Sequence, residues 1–353
     1  MKTSTTPTRD APRGFWLLRP GGLSLLVSRR GVWAGLLLAL MTALVGVGSL
    51  SFGTPSLRPD QVLAALAGAG DPFNVFMLHE LRLPRLTAGI LSGAALGVGG
   101  CLLQTLARNR LATPGIIGID DGATAFAVAS IVAVPTSLAP PMLALVGAAT
   151  AAALAFGLGG GGSRGYRFIV VGIAVGALFG ALTNFMLART DIDSANLAYP
   201  WTVGSLNARA PSTVVVLAAC LVICLPIAKA LGRQLQLLRF SDAVAIGLGT
   251  HVRHTRLAIL VVTVFLTATA VAVAGPVGLV SLVAPEVARH LTGHRGVPII
   301  NSALAGALLM TAADWVGRTA FAPVEIPVGV ITAIVGGPYL LWILLREPRM
   351  TGR

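Results

Sequence analysis

From Arg233, the residues up to Arg256 read RQLQLLRFSDAVAIGLGTHVRHTR, a polar and basic stretch with six long apolar runs before it and four after. Nothing inside residues 234–256 stays apolar for the ~20 residues that a bilayer crossing takes, so the segment lies outside the membrane. A helix-compatible polar segment on so apolar a chain is a handle for a water-soluble partner.

Composition sets the class around it. Apolar residues make up 55% of the 353 and charged residues 11%, with a mean hydropathy of +0.83. That is too little polarity to clothe a soluble surface, whereas lipid accepts it, and the expected fold is an all-α polytopic membrane protein. The net charge of +13 does not point to nucleic acid. The arginines sit in short clusters between apolar runs, and aromatic residues do not interleave with them.

Residues 1–31 read as a basic N-terminal tail, with Arg9, Arg13, Arg19, Arg29 and Arg30. Ser28-Arg29-Arg30 before an apolar stretch resembles a twin-arginine export signal, but the run Val32–Phe52 is long enough to span and many more follow, so it reads as the first span. The other runs lie near Pro84–Leu106, Thr113–Ala133, Pro140–Leu158, Phe168–Ala188, Ser212–Leu231, Thr255–Ala274, Gly275–Leu291, Pro298–Ala320 and Ile326–Leu345. Ten spans fill residues 32–346, residues 347–353 form a C-terminal tail, and an even count puts both termini on one side. With that side cytosolic, twenty of the 26 Lys and Arg residues face inward. Only Arg58, Arg82, Arg85, Arg189, Arg209 and Arg318 face outward, a bias of the sign expected for cytosolic ends.

Gly93 and Gly97, then Gly172, Gly176 and Gly180, recur at four-residue spacing, which sets them on one helix face for close packing. Gly159–Ser163 follows a span rather than a strand and reads as a flexible turn. Neither Lys2 nor Lys229 lies in a nucleotide loop, so any ATP that drives the chain is bound elsewhere. Cys101, Cys220 and Cys224 read as packing residues, Glu286, His290 and His294 as the end of a helix stopped by Gly293, and Asp120-Asp121-Gly122 as a turn. No metal site is expected. Arg82 and Arg85 in Leu81–Arg85 are unusual on an outer face; snorkelling to headgroups and docking of an acidic partner both explain them.

These residues also carry a resemblance. Arg82 to Arg85, Gln104, Arg108 to Gly115, and Gly118 with Gly122-Ala123 resemble the first half of the permeases that import ferric siderophores, haem and cobalamin with ATP-binding-cassette ATPases. Ala245 to Gly249, Gly275 to Val280, Pro285 to Arg289, Ala313-Asp314 with Arg318, Glu325 to Gly329 and Gly336 to Tyr339 follow the second half in order. The resemblance spans roughly residues 55–345.

It implies ten spans per subunit, a dimer with the pathway at its interface, ATPase partners that bind ATP and Mg²⁺, and an extracytoplasmic binding protein. Arg82, Arg85 and Arg318 match arginines that receive glutamates of that binding protein. Asp242 to Val252, with Ala245, Gly247, Leu248 and Gly249, matches the coupling helices between spans six and seven that enter a groove on the ATPase; two glycines suit a sharp turn between short helices. Asn109, Leu111, Gly165 and Tyr166 match positions near the cytosolic gate. Two departures stand out: Arg110 replaces a usual proline and Glu286 a usual histidine. Homodimer and heterodimer both fit. By this resemblance the chain is no enzyme and binds no cofactor; a ferric siderophore leads as cargo, with haem and cobalamin as alternatives. An ion-coupled secondary transporter is the rival from another class, but Asp191, Asp193, Asp314 and Glu325 lie near span ends rather than at mid-membrane.

Overall fold

Helices dominate the computed structural model, which describes residues 14–18, 25–53, 55–132, 139–159, 166–207, 210–293 and 296–346. The remaining residues of both tails, most of the Gly159–Ser163 turn, Gly165, Arg209 and His294 lie outside the described residues. A short antiparallel hairpin pairs β1 (Phe15–Leu18) with β2 (Leu25–Ser28) inside the expected tail. Ser28 then caps α1 (Arg29–Ser51), its hydroxyl accepting from the Gly31 N–H at 3.1 Å. The first apolar helix therefore starts three residues before Val32.

The chain continues through α2 (Pro59–Leu66), α3 (Pro72–Phe76), α4 (Leu83–Ala107), α5 (Ile119–Val132), α6 (Pro140–Leu158), α7 (Tyr166–Arg189), α8 (Ile192–Ala198) and α9 (Pro200–Val203). It ends with α10 (Pro211–Leu237), α11 (Asp242–Gly247), α12 (Val252–Ala274), α13 (Gly278–Thr292), α14 (Ile299–Thr319) and α15 (Val328–Arg346). Among the described residues, seven helices are long and apolar enough to cross a membrane: α1, the stretch Pro72–Ala107, α6, most of α7, α10, α12 and α14. Two of the ten expected runs form clearly shorter helices, whereas α15, at 19 residues, is as long as α6. α5 has 14 residues, a rise of about 21 Å against the ~30 Å hydrocarbon core. Its run is broken because Pro114–Ile117 makes a 3-10 turn and Gly118 takes φ +78°; Pro114 and Ile117 are buried, so protein shelters the irregular backbone. α13 has 15 residues, since Gly275 at φ +74° ends α12 and the next helix starts only at Gly278. Asp120 and Asp121 fall in the first turn of α5 rather than in a turn of their own.

Pro84, which heads the expected run Pro84–Leu106, does not start the helix. α3 passes through a π-helical stretch, Met77–Arg82, directly into α4. A proline cannot donate to the preceding turn, and the wider π pattern absorbs that missing bond. The result is one rod of 36 residues from Pro72 to Ala107. α4 is its longer, C-terminal part and packs against α10, α12, α13 and α14. Gly97 faces α14 so closely that a Cβ there would lie 2.1 Å from the Ser302 carbonyl oxygen, and one on Gly306 would lie 2.0 Å from that of Gly93.

Candidate functional site

The two ends of α4 carry two polar sites. At its N-terminal end the sequence places Arg82 and Arg85 one turn apart, and α14 brings Asp314 and Arg318 beside them. Arg85 holds Asp314 through Nε and Nη2, both at 3.0 Å, and reaches Glu325 through Nη1 at 2.8 Å. Arg318 donates to the same Asp314 at 3.2 Å and to Ser49 Oγ of α1 at 2.6 Å. Arg82 is only 7% exposed and donates to the carbonyls of Leu50 and Pro55. The side chains of Asp314 and Arg318 are 5% and 10% exposed, that of Arg85 14%, and that of Glu325 49%. The arginines are thus brought together and already partnered. A cleft beside them is also lined by Glu80 and Asn207. Three arginines against Asp314, Glu325 and Glu80 make the cluster formally neutral. Glu325 is the ligand that an incoming carboxylate could most easily replace.

At the other end, α10 runs on to Leu237, past the expected Leu231, and a short loop leads into α11. Ser241 caps α11, Asp242 occupies its first turn, and Arg256 of α12 grips Asp242 at 2.8 and 3.0 Å. Ala245 is fully buried and anchors the helix. The segment holds one short helix where two were expected; after the turn Leu248–His251, the long α12 begins at once. Gly247 closes α11 and Gly249 turns the chain at φ +81°, a conformation costly for a residue with a Cβ. Phe240, Val244, Ile246 and Leu248 stand 60%, 46%, 62% and 59% exposed. Four large apolar side chains held out on a six-residue helix and its flanks are a contact surface.

Just past the C-terminal end of α4 lie two of the expected gate positions, Asn109 and Leu111. Arg108, at φ +53°, caps α4 and donates to the carbonyls of Leu238 and Phe240, tying the helix to the α11 loop. Asn109 is exposed, and its side-chain oxygen accepts from the Leu111 N–H at 2.9 Å; Leu111 is 40% exposed. Tyr166 opens α7, away from this group in sequence, and Gly165 lies outside the described residues. The two departures meet: Arg110 pairs with Glu286 at 3.3 Å. Glu286, 3% exposed, also binds Arg289 at 2.9 Å and His290 at 3.3 Å, and Arg289 reaches Gln104 of α4. Among the described residues no group of three His, Cys, Asp or Glu is placed to hold a metal ion.

Residues 39–346, almost the whole bundle, match the FecCD transport family. The chain is a member of that family. This FecCD chain is 36% identical over 325 residues to the ferric enterobactin transport system permease protein FepG of Escherichia coli, covering 92% of this chain and 98% of that one. It is 36% identical to the Fe(3+)-citrate import system permease protein YfmE of Bacillus subtilis, over 91% and 97% of the two chains. The hemin transport system permease protein HmuU of Yersinia pestis is 37% identical over 76% and 83%. Among solved structures, an inward-facing metal-chelate type ABC transporter superposes with a TM-score of 0.78 at 25% identity, covering 90% of this chain and 100% of that one.

Sequence reasoning about the FecCD chain missed three things. Asp314 is the carboxylate that Arg85 and Arg318 share, Arg108 is a bridge rather than a loose cation, and Arg110 and Glu286 answer each other. The signal for the last was present, since two departures of opposite charge are what a new ion pair requires.

Proposed function

We propose that the chain is the membrane-spanning permease subunit of an ABC importer that carries a ferric siderophore across the cytoplasmic membrane. The observation that carries this reading is similarity over nearly the full length of both chains to a ferric enterobactin permease, alongside a ferric citrate permease. Haem is the second reading, favoured by the 37% identity to the hemin permease. In this proposal ten helices cross the membrane, α5 and α13 as short crossings within the bundle. Both termini and α11 face the cytosol, a reading that the distribution of basic residues supports.

Separate ATPase subunits bind ATP and Mg²⁺ and receive α11 through Phe240, Val244, Ile246 and Leu248. Their closure moves α11, Arg108 passes the movement to α4, and the helices lining the interface with a second permease subunit tilt, so that the pathway opens alternately to each side. Asn109 and Leu111, with Gly165 and Tyr166, belong to the inner gate. On the outer face, glutamates of a substrate-binding protein engage Arg82, Arg85 and Arg318, a carboxylate taking the place of Glu325 on Arg85. The buried Asp314 holds the arginines in register meanwhile.

Proteoliposomes containing the chain, its ATPase and its binding protein test this with iron-loaded siderophore. ATP-dependent uptake, lost on Ile246→Asp and retained in the fold, is expected. Uptake indifferent to ATP but abolished by collapsing an ion gradient overturns the assignment in favour of a secondary transporter; ATP-dependent uptake of haem alone moves the cargo to the second reading.

A further inference from the structure

Where α6, α11 and α12 meet, the structure contains an open cleft of ≈ 660 Å³ that is apart from the arginine cluster and meets the coupling surface only at Ile246. Its mouth is basic: His251, Arg253 and His254 are exposed there, with the two imidazole rings 6.2 Å apart. Arg256 also lines it but is engaged by Asp242 at 2.8 Å. No carboxylate lines the cleft among the described residues, so the cationic mouth lacks an anion of its own apart from that pair. The wall below is apolar, made by Phe156, Leu257 and Leu260. Leu257, Val261 and Phe265 recur at four-residue spacing along α12 and are 56%, 43% and 59% exposed, which continues the apolar wall as a stripe down the helix.

A cationic mouth over an exposed apolar stripe fits an amphiphile with an anionic head. We propose that this cleft binds an anionic phospholipid, with its phosphate among His251, Arg253 and His254 and an acyl chain along Leu257, Val261 and Phe265. Charge complementarity selects this occupant: a zwitterionic lipid would bring its own cation to the same mouth. The inference rests on the reading of this end of α12 as the membrane–cytosol boundary. Ile246 of α11 lines the same cleft, so a bound lipid braces the helix proposed to meet the ATPase.

The test uses the full chain, stripped of lipid in detergent and titrated with phosphatidylglycerol and phosphatidylcholine under native mass spectrometry, without ATPase or binding protein. Its outcome therefore does not depend on transport, and a failed uptake assay leaves it standing. Preferential retention of phosphatidylglycerol is expected. Arg253→Gln should lower that preference about fivefold, the fold-change for one basic residue at a lipid surface. The triple variant His251→Gln, Arg253→Gln, His254→Gln should bring the two lipids to parity, with an unchanged circular dichroism spectrum and melting temperature in phosphatidylcholine. Equal retention of both lipids by the unmodified chain overturns the proposal, as does a preference that Arg253→Gln leaves intact. Displacement of the lipid by inorganic phosphate alone would make this a free-phosphate site, and displacement by added ATPase would make the cleft part of the protein interface; either overturns it.

Discussion

Replacing Glu325 by Gln separates a docking role of the outer arginines from a purely structural one. Glu325 is half exposed and holds Arg85 at 2.8 Å, whereas Asp314 holds the same arginine from a buried position. An exposed pair contributes about 0–1 kcal/mol, so Glu325→Gln should leave the melting temperature nearly unchanged. If an incoming carboxylate must displace Glu325, removing that competitor returns up to about 1 kcal/mol to docking, roughly a fivefold gain in affinity. The gain should shrink as salt rises from about 50 mM to about 500 mM, since the arginines are then increasingly screened. Asp314→Asn is the contrasting case. It removes the shared partner of two mostly buried arginines, a loss of about 3–5 kcal/mol, toward the lower end because Arg318 keeps Ser49 and Arg85 keeps Glu325. The assay is titration of the binding protein onto the permease in nanodiscs at both salt concentrations, beside thermal unfolding of each variant. Affinity unchanged or weakened by Glu325→Gln at both salts, with the fold intact, would refute the argument and leave the arginines as a clamp between α1, α4 and α14.

Gly97→Val should prevent the close approach of α4 and α14, since even a first side-chain carbon would meet the Ser302 carbonyl at 2.1 Å; overpacking of about 1–3 kcal/mol or more is read as a lowered melting temperature and poor yield. The double change Ile246→Ser, Leu248→Ser removes exposed apolar surface only, so co-purification of the ATPase should fall while the melting temperature holds. Glu286→Gln strips the buried Arg289 of its carboxylate and should cost about 3 kcal/mol, because Arg289 retains Gln104. Arg110→Ala, at a half-exposed position, should cost about 1 kcal/mol or less. Equal losses in those last two variants would show that the pair is not organised around Glu286.

Hydropathy made the helical class legible, and all ten apolar runs correspond to helices. It could not show that α5 and α13 are short, because an apolar run reads the same whether it is one helix or a 3-10 turn and a helix, as at Pro114–Val132. Nor could it show that the helix containing Pro84 extends back to Pro72, since the π-helical Met77–Arg82 carries no apolar period. The glycine faces were clear at Gly93 and Gly97, where small residues at helical spacing have one use. Arg82, Arg85 and Arg318 stood out because the charge count assigns them to the arginine-poor side. Their partner Asp314, 229 residues from Arg85, depends on how α14 packs and leaves no local trace. Arg108 was overlooked for a similar reason: a basic residue at a helix end is commonplace, and only the fold places the Leu238 and Phe240 carbonyls within its reach.

The unbroken rod Pro72–Ala107 has a mechanical consequence. Its 36 residues trace about 54 Å of helical contour, longer than the ~30 Å hydrocarbon core of a bilayer. Arg82 and Arg85 lie toward one end, and Arg108 is fixed to the last carbonyl turn at the other. Backbone-close contacts with α14 at Gly93 and Gly97, and with α13 at Gly100, give the helix a pivot inside the bundle. Under the proposed docking and coupling roles, arrival of the binding protein and closure of the ATPase load opposite ends of this one helix. The two events can sense each other through its tilt even when no cargo is present.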